Sequence, residues 1–193
     1  MRLVSCLLAL CLAVPAQAQT DMPGDSPTIV LPLEDCPIPP IAPLEDPALV
    51  PAGLVDTLLD WIAAQTDYDV SAVRADPPAI TFCETGDLIE YEDIAVHVGS
   101  GLHGLYDDIA RRIVLVRPWS AEEPRDRALL LHELTHRVQL ANRAWDCPQA
   151  PEWEAYKLQA AYLAQHGIDA GFDWLHIYML SRCPRDIHPA DGR

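Results

Sequence analysis

A stretch in the second half of the chain is apolar on almost every side, yet it contains three side chains that are costly to bury. The spacing predicts a helix over about residues 121–143, whose middle, residues 128–138, is rich in leucine. A helix of this kind lies inside a folded domain rather than on its surface. His132, Glu133 and His136 fall within it, and burying them requires a metal ion or hydrogen-bond partners. The chain therefore predicts a domain built around one central helix that carries a polar site.

One motif gives that site a specific chemistry: His132-Glu133-Leu134-Thr135-His136. Two histidines four positions apart on a helix point in nearly the same direction, so both imidazoles can bind one metal ion. The carboxylate of Glu133 can reach a water on the open coordination position without binding the metal itself. Zinc lowers the pKa of such a water towards about 7, and Glu133 then takes its proton. The sequence therefore predicts His132 and His136 as zinc ligands and Glu133 as the catalytic general base.

A catalytic zinc needs a third protein ligand, and the residues leave two candidates. Gln139 and Asn142 stand where the longer form of the motif has a glycine and a third histidine. The ligand is then expected on the next helix, over about residues 152–166, where Glu152 and Glu154 are the acidic residues. Either carboxylate could fold back across the intervening loop, so both remain candidate metal ligands.

The motif, followed by Glu152-x-Glu154-Ala155, resembles the gluzincins, zinc metallopeptidases whose third ligand is a glutamate on the helix after the active-site helix. The resemblance implies a zincin-like fold, Zn2+ as cofactor and hydrolysis of peptide bonds, and it places Glu152 at the ligand position. It places Tyr156 where minimal members have an acidic residue that orients a zinc-bound histidine. The phenol or Glu154 is then expected to supply that support. The chain is also similar to small exported bacterial proteins of the same type that have no assigned activity.

Two classes of function follow from these residues. The leading hypothesis is zinc-dependent hydrolysis of a peptide or protein substrate by a metal-bound water, with Glu133 as general base. A metal amidase acting on cell-wall peptides would share this mechanism. The alternative is a non-catalytic zinc-stabilised structural or binding module in the periplasm. An open coordination position separates the two classes, because a structural zinc is closed by four protein ligands.

The remaining patterns predict an α+β domain with a short mixed or antiparallel sheet beside the helices. Ser120-x-x-Glu123 has the form of a capping box at the start of the central helix, and Pro124 falls in its first turn. In the zincin-like fold that the resemblance implies, the strand at residues 113–116 is an edge strand that pairs with an extended peptide, whereas the sequence alone favours an ordinary sheet strand. Further helices are expected over residues 54–64 and 172–182, strands over residues 79–82, 88–91 and 94–98, and a hairpin over residues 102–117.

The ends of the chain predict segments outside this domain. Residues 1–18 have the charge, apolar run and small-residue ending of a signal peptide, with cleavage after Ala18. Residues 19–51 are rich in proline and predict an extended leader, which leaves residues 52–184 for the domain and residues 185–193 for a tail. The apolar run is too short to cross a bilayer and no later segment replaces it. The protein is therefore expected to be periplasmic or secreted, with no membrane span.

The charge excludes one large class of partners. The formal net charge is −16 and Lys157 is the only lysine, so no basic surface is available for a phosphate backbone or an anionic membrane. No nucleic-acid partner is expected. The oligomeric state does not follow from the sequence.

Four cysteines follow the signal peptide: Cys36, Cys83, Cys147 and Cys183. No two of them have the Cys-x-x-Cys spacing of a zinc site, so disulfides are expected in an oxidising compartment. Four thiols allow three pairings. Chain order favours Cys147 with Cys183 and Cys36 with Cys83.

Overall fold

Ten helices and strands follow one another in residues 50–184, the part of the chain that this computed structural model describes. The predicted signal peptide, nearly all of the predicted leader and the predicted tail lie outside the described residues. The domain is α+β, as predicted, and no helix among the described residues is long and apolar enough to cross a membrane. In chain order the elements are α1 (Leu54–Gln65), α2 (Ser71–Ala75), β1 (Ala79–Cys83), β2 (Leu88–Tyr91), β3 (Ile94–His97), β4 (Gly104–Asp107), β5 (Arg112–Val116), α3 (Pro124–Asn142), α4 (Glu152–Gln165) and α5 (Trp174–Leu180).

A mixed three-stranded sheet with the order β1-β5-β4 lies next to the central helix α3. β5 pairs in parallel with β1 and antiparallel with β4, which confirms the predicted hairpin over residues 102–117. β2 and β3 form a separate antiparallel hairpin. The edge strand that the resemblance implies at residues 113–116 is wrong, and the alternative of an ordinary sheet strand is confirmed, because β5 is the centre of the sheet and β1 and β4 are its edges. An unbroken apolar run such as this is typical of a strand that is buried on both faces.

The two faces of the sheet pack against different parts of the domain. Side chains alternate along each strand, so Ile113 and Leu115 face the helices while Val114 and Val116 face the β2–β3 hairpin. The helix-side core includes residues of α1 and three fully buried leucines of α3, each contributing roughly 2 kcal/mol by burial. Those leucines are Leu130, Leu131 and Leu134. This packing fixes the position of α3 against the sheet.

The start of α3 differs from its prediction by a few residues. The helix begins at Pro124, in the first-turn position expected of it, but Ser120 and Glu123 do not form a capping box. Instead the carboxylate of Asp126 accepts a hydrogen bond from the backbone N–H of Ser120 at 2.7 Å. The hydroxyl of Ser120 accepts one from the N–H of Glu122 at 3.3 Å. The carboxylate of Asp126 therefore accepts the Ser120 N–H that the capping box assigns to Glu123, and the N-cap residue makes no side-chain capping hydrogen bond.

One of the two predicted disulfides is present. Cys147, in the loop between α3 and α4, is joined to Cys183, after α5, with a Cα–Cα distance of 5.7 Å. The predicted Cys36–Cys83 pairing is wrong, because Cys83 is a free, buried thiol. Its side chain is 5% exposed and packs among Ile89, Val98 and other apolar residues of β2 and β5 and their neighbouring loops. Cys36 lies outside the described residues.

Candidate metal centre

Helices α3 and α4 bring two imidazoles and one carboxylate together. The Nε2 atoms of His132 and His136 are 3.1 Å apart. The carboxylate oxygens of Glu152 lie 3.3 Å from Nε2 of His132 and 3.4 Å from Nε2 of His136. Ligands that surround a zinc ion tetrahedrally at about 2.1 Å lie roughly 3.4 Å from one another. The three side chains therefore form a donor group that fits a single metal ion.

Glu154, the other candidate ligand, lies outside this group. Its Oε2 atom accepts hydrogen bonds from the Tyr68 hydroxyl at 2.5 Å and from Nε2 of Gln139 at 3.0 Å. It also pairs with Arg143 at 3.3 Å. Residues two positions apart on a helix point about 200° away from each other. Glu154 therefore points away from the donor group and contacts Tyr68, Gln139 and Arg143 instead. Of the two candidates, the structure brings only Glu152 to the histidines.

Two glutamine amides hold the outer nitrogens of the histidines. Oε1 of Gln159 lies 3.1 Å from Nδ1 of His132, and Oε1 of Gln139 lies 3.1 Å from Nδ1 of His136. The amide nitrogen of Gln139 donates to the carbonyl of Pro151 and to Glu154, so its oxygen must face His136. A carbonyl oxygen only accepts, so each Nδ1 carries a hydrogen and Nε2 is the nitrogen of each ring that could bind a metal.

The expected support by Tyr156 or Glu154 is therefore wrong. The ring of Tyr156 packs edge-on against His132 with the centroids 4.5 Å apart, and its hydroxyl has no hydrogen-bond partner among the described residues. The position that holds a carboxylate in the resembling family thus contributes an aromatic wall here. The outer support of each histidine comes from a neutral amide instead of a charged group.

Glu133 is nearly fully buried beside the donor group without joining it. Its side chain is 5% exposed, and within residues 50–184 it has no hydrogen-bond partner. Burial is the largest influence on its pKa and raises it, and the neighbouring histidines oppose this without cancelling it. Gly104 of β4 lies directly against it, because a Cβ at that position would be 3.1 Å from its Oε1 atom. A Cβ at this position would therefore push the carboxylate aside by a few tenths of an ångström.

The charges of the donor group are coupled. For Glu152 burial acts to raise the pKa, but the two histidines hold it far below its ordinary value. For His136 burial acts to lower the pKa, but the hydrogen bond to Glu152 and the charge of Glu133 leave it raised. Glu152 is therefore ionised and ready to act as a ligand. A metal ion would have to displace the proton that His136 holds, so binding is linked to proton release.

The donor group opens into a cavity of about 620 Å3. Its walls come from the β2–β3 turn, strand β4, the helices α3 and α4, and the loop between those helices, including Trp145, Cys147 and Pro148. Tyr91, Tyr106 and Tyr156 also line it. It is not lined by His166, His176, Tyr162 or Tyr178. Tyr156 lies one helical turn after Glu152, and this spacing is the sequence signal that predicts its place beside Glu152 in the cavity wall.

An α+β domain in which two histidines one helical turn apart and a glutamate of the next helix converge defines a protein with a candidate metal-binding site. The chain belongs to a family described as a domain of unknown function, DUF6647, whose model matches residues 47–190. Neither the curated proteins nor the solved structures contain a significant match to the chain.

Proposed function

We propose that this protein is a zinc-dependent peptidase of the gluzincin type, in which His132, His136 and Glu152 hold the metal and Glu133 is the general base. The observation that carries the proposal is the placement of Glu133. It is a buried carboxylate that neither joins the donor group nor has a hydrogen-bond partner among the described residues, and it lines the same cavity. Zinc, when bound, supplies an electrophile that polarises a carbonyl group and acidifies a water.

The protein's own residues supply the proton transfers. Glu133 accepts a proton from the attacking water and delivers it to the nitrogen of the departing amine. Its raised pKa suits the first step, because a carboxylate that is more basic than usual removes the proton more readily. The glutamine amides hold Nδ1 of each histidine as the hydrogen-bond donor, so Nε2 is the nitrogen that would bind the metal. Tyr156 and the loop at residues 145–148 cover the reacting atoms from the sides.

The edge strand β4 supports an extended peptide as the substrate. The N–H of Val116 donates to the carbonyl of His103 at 2.8 Å, which fixes the alternation of hydrogen bonds between β4 and β5. By that alternation the backbone groups of Gly104 and Tyr106 point away from β5, towards the free edge. A peptide that added to this edge as a further strand would pass beside Glu133. The pairing with an extended peptide that the resemblance implies for β5 is therefore proposed for β4.

The site has three protein donors in the described part of the chain, and the cavity lies over the remaining side. This arrangement supports a catalytic zinc over a structural module, whose zinc would be closed by a fourth protein ligand. A central helix that carries the motif and packs on a mixed sheet with a free edge likewise supports the zincin-like fold. The Cys147–Cys183 disulfide supports a periplasmic or secreted location, because cytoplasmic thiols are kept reduced.

Metal analysis and hydrolysis of a quenched fluorescent peptide mixture test the proposal together. The wild-type protein is expected to bind about one zinc per chain and to hydrolyse peptides. Glu133→Gln should keep the zinc and lose the activity, since Glu133 is not a ligand. Glu152→Ala should lose the zinc. Glu154→Ala is the matched control two residues away and should keep it, because Glu154 contacts Tyr68 and Gln139 instead. Full hydrolysis by Glu133→Gln, or zinc retained by Glu152→Ala, would contradict the proposal.

A further inference from the structure

The rim of the cavity is acidic. Three carboxylates from three separate segments line it: Glu92 in the β2–β3 turn, Asp108 in the β4–β5 turn and Asp146 in the loop after α3. None of the described residues that line the cavity is a lysine or an arginine. Arg137 is near the Tyr106 hydroxyl and 3.9 Å from Asp76, but it does not line the cavity. Glu92 and Asp108, both at exposed positions, therefore present negative charge to whatever enters the cavity.

The positions of Glu92 and Asp108 are set by the backbone. Glu92 and Asp93 have φ angles of 47° and 62°, the left-handed pair that a tight two-residue hairpin turn requires. The N–H of Glu92 donates to Oδ2 of Asp107 at 3.4 Å, and the N–H of Ala110 donates to Oδ1 at 2.9 Å. The buried carboxylate of Asp107 thus ties the two turns together. Asp108, the next residue, accepts a hydrogen bond from the Tyr106 hydroxyl at 3.1 Å.

A second observation, from the interior of the cavity, indicates a ligand-binding site independently of the acidic rim. Glu133 lines the cavity, is 5% exposed and has no hydrogen-bond partner in the described chain, so a water or a polar group of a ligand in the cavity can satisfy it. The rings of Tyr91 and Tyr156 line the same cavity as Glu133 and the acidic rim. Aromatic walls of this kind cover the apolar stem of a long cationic side chain and attract its charged end.

We propose that this cavity selects peptides with a lysine or arginine side chain next to the scissile bond. The inference rests on the proposed peptidase function and names its substrate class. The cationic side chain lies along the tyrosine rings and brings its charge to Glu92 and Asp108, while a peptide along β4 keeps its backbone beside Glu133. An acidic side chain in the same place is repelled by both carboxylates. The net charge of −16 adds a general attraction for basic peptides.

A matched peptide series tests the selection. Each peptide carries arginine, glutamine or glutamate at one of the positions that flank the cleaved bond and is otherwise identical. We expect kcat/KM for the best arginine peptide to exceed that of its glutamate counterpart about tenfold, from two partly exposed ion pairs worth roughly two- to fivefold each. The double variant Glu92→Gln and Asp108→Asn should reduce the ratio to about twofold or less. High ionic strength should reduce it in the wild type, because exposed charges are screened.

The control is the double variant Asp67→Asn and Glu122→Gln, which removes the same charge from exposed positions away from the cavity. It should leave the ratio unchanged if the effect is local, and an equal fall in this control would overturn the inference. Cleavage without a preference for cationic peptides, or a preference that survives in Glu92→Gln and Asp108→Asn, would also overturn it.

Binding separates this inference from the peptidase proposal. Fluorescence anisotropy of the labelled arginine and glutamate peptides is measured on the zinc-loaded Glu133→Gln protein, where no turnover is expected. Tighter binding of the arginine peptide supports a cation-selective cavity if adding Glu92→Gln and Asp108→Asn removes the difference. If the wild type shows this binding but hydrolyses nothing, only the peptidase proposal fails. Equal binding of both peptides overturns the cation selection even if hydrolysis is observed.

Discussion

The close contact between Gly104 and Glu133 limits where the carboxylate of Glu133 can lie. A Cβ there would lie 3.1 Å from Oε1 of Glu133, 3.3 Å from its Cγ and 3.4 Å from a methyl carbon of Leu115. The strand is held by β5, so the flexible carboxylate is the part that moves. We expect Gly104→Ala to lower kcat/KM for peptide hydrolysis by roughly two- to tenfold, because the carboxylate has to move by a few tenths of an ångström, less than the displacement of roughly 1 Å that costs about a hundredfold.

The zinc content of Gly104→Ala should stay the same, because Glu133 is not part of the donor group. Gly101→Ala is the control, since a Cβ there meets nothing within 4 Å and its φ is not in the left-handed region. Unchanged activity in Gly104→Ala, or a loss of zinc along with the activity, would show that the strand does not position Glu133 in this way.

The three motif residues and the two glutamines differ in how far a sequence can reveal them. His132, Glu133 and His136 follow from one local spacing on one helix, and the structure places them together as that spacing predicts. Gln159 is on the other helix, and its contact with His132 depends on how α3 and α4 pack. Gln139 bridges the two helices through Pro151, and its carbonyl also orients His136.

Gln159 gives a direct test of this orientation. In Gln159→Ala, Nδ1 of His132 loses its acceptor, so the ring is no longer held in the tautomer that presents Nε2. We expect zinc affinity to fall about tenfold or more, as for other residues that hold a metal-binding histidine. A competing chelator measures the change. Gln65→Ala, at the exposed end of α1, should leave the affinity unchanged, and an equal loss in both variants would rule out a local effect.

Among the elements, the helices were easier to predict than the pairing of the strands. The apolar period located α1, α3 and α4 to within a few residues, because that signal is local. The short helix α2 was missed, since five residues do not establish a period. The parallel pairing of β1 with β5 joins distant parts of the chain and has no local signature. That pairing makes β5 the central strand and leaves β4 free beside the candidate site.

The β1–β5 pairing also explains why Cys83 is not in a disulfide. As the last residue of β1 it faces the small core formed with β5 and the β2–β3 hairpin, where its side chain is 5% exposed. Burial, together with the nearby charges of Asp87 and Glu84, raises the pKa of the thiol to about 11. Because the thiolate is the reactive form, Cys83 is both protonated and shielded at neutral pH.

We therefore expect iodoacetamide to leave Cys83 unmodified in the native protein and to alkylate it fully in denaturant without a reductant. Peptide mapping by mass spectrometry measures the modification. Cys147 and Cys183 provide the internal control, because they should be alkylated only after reduction. A peptide in which Cys83 is linked to Cys36, or rapid alkylation under native conditions, would contradict the buried-thiol assignment.

For the whole molecule, the donor group and the cavity around it depend on different parts of the domain. The donors lie on α3 and α4, which pack directly on each other. One wall of the cavity is the connecting loop, whose Cys147 is joined to Cys183 after α5. The sequence predicted the metal ligands and this disulfide, but not that the disulfide holds a wall of the site. That role depends on where α5 lies against α4.

Removing the disulfide should therefore separate stability and turnover from metal binding. Closing a loop with a sequence separation of 36 is worth about 4 kcal/mol of unfolding free energy in the chain-entropy model, and measured values are about 2–4 kcal/mol. We expect the double variant Cys147→Ala and Cys183→Ala to lose that much in urea unfolding of the zinc-free protein, since bound zinc would mask part of the loss. Turnover should fall as the loop loosens, while the zinc content stays at the wild-type level.

Wild-type protein treated with a reductant should match the variant in urea unfolding, turnover and zinc content. A variant that loses its zinc would show that the bridge also holds the donor group. A variant that unfolds at the wild-type urea concentration would show that the bridge does not stabilise the domain.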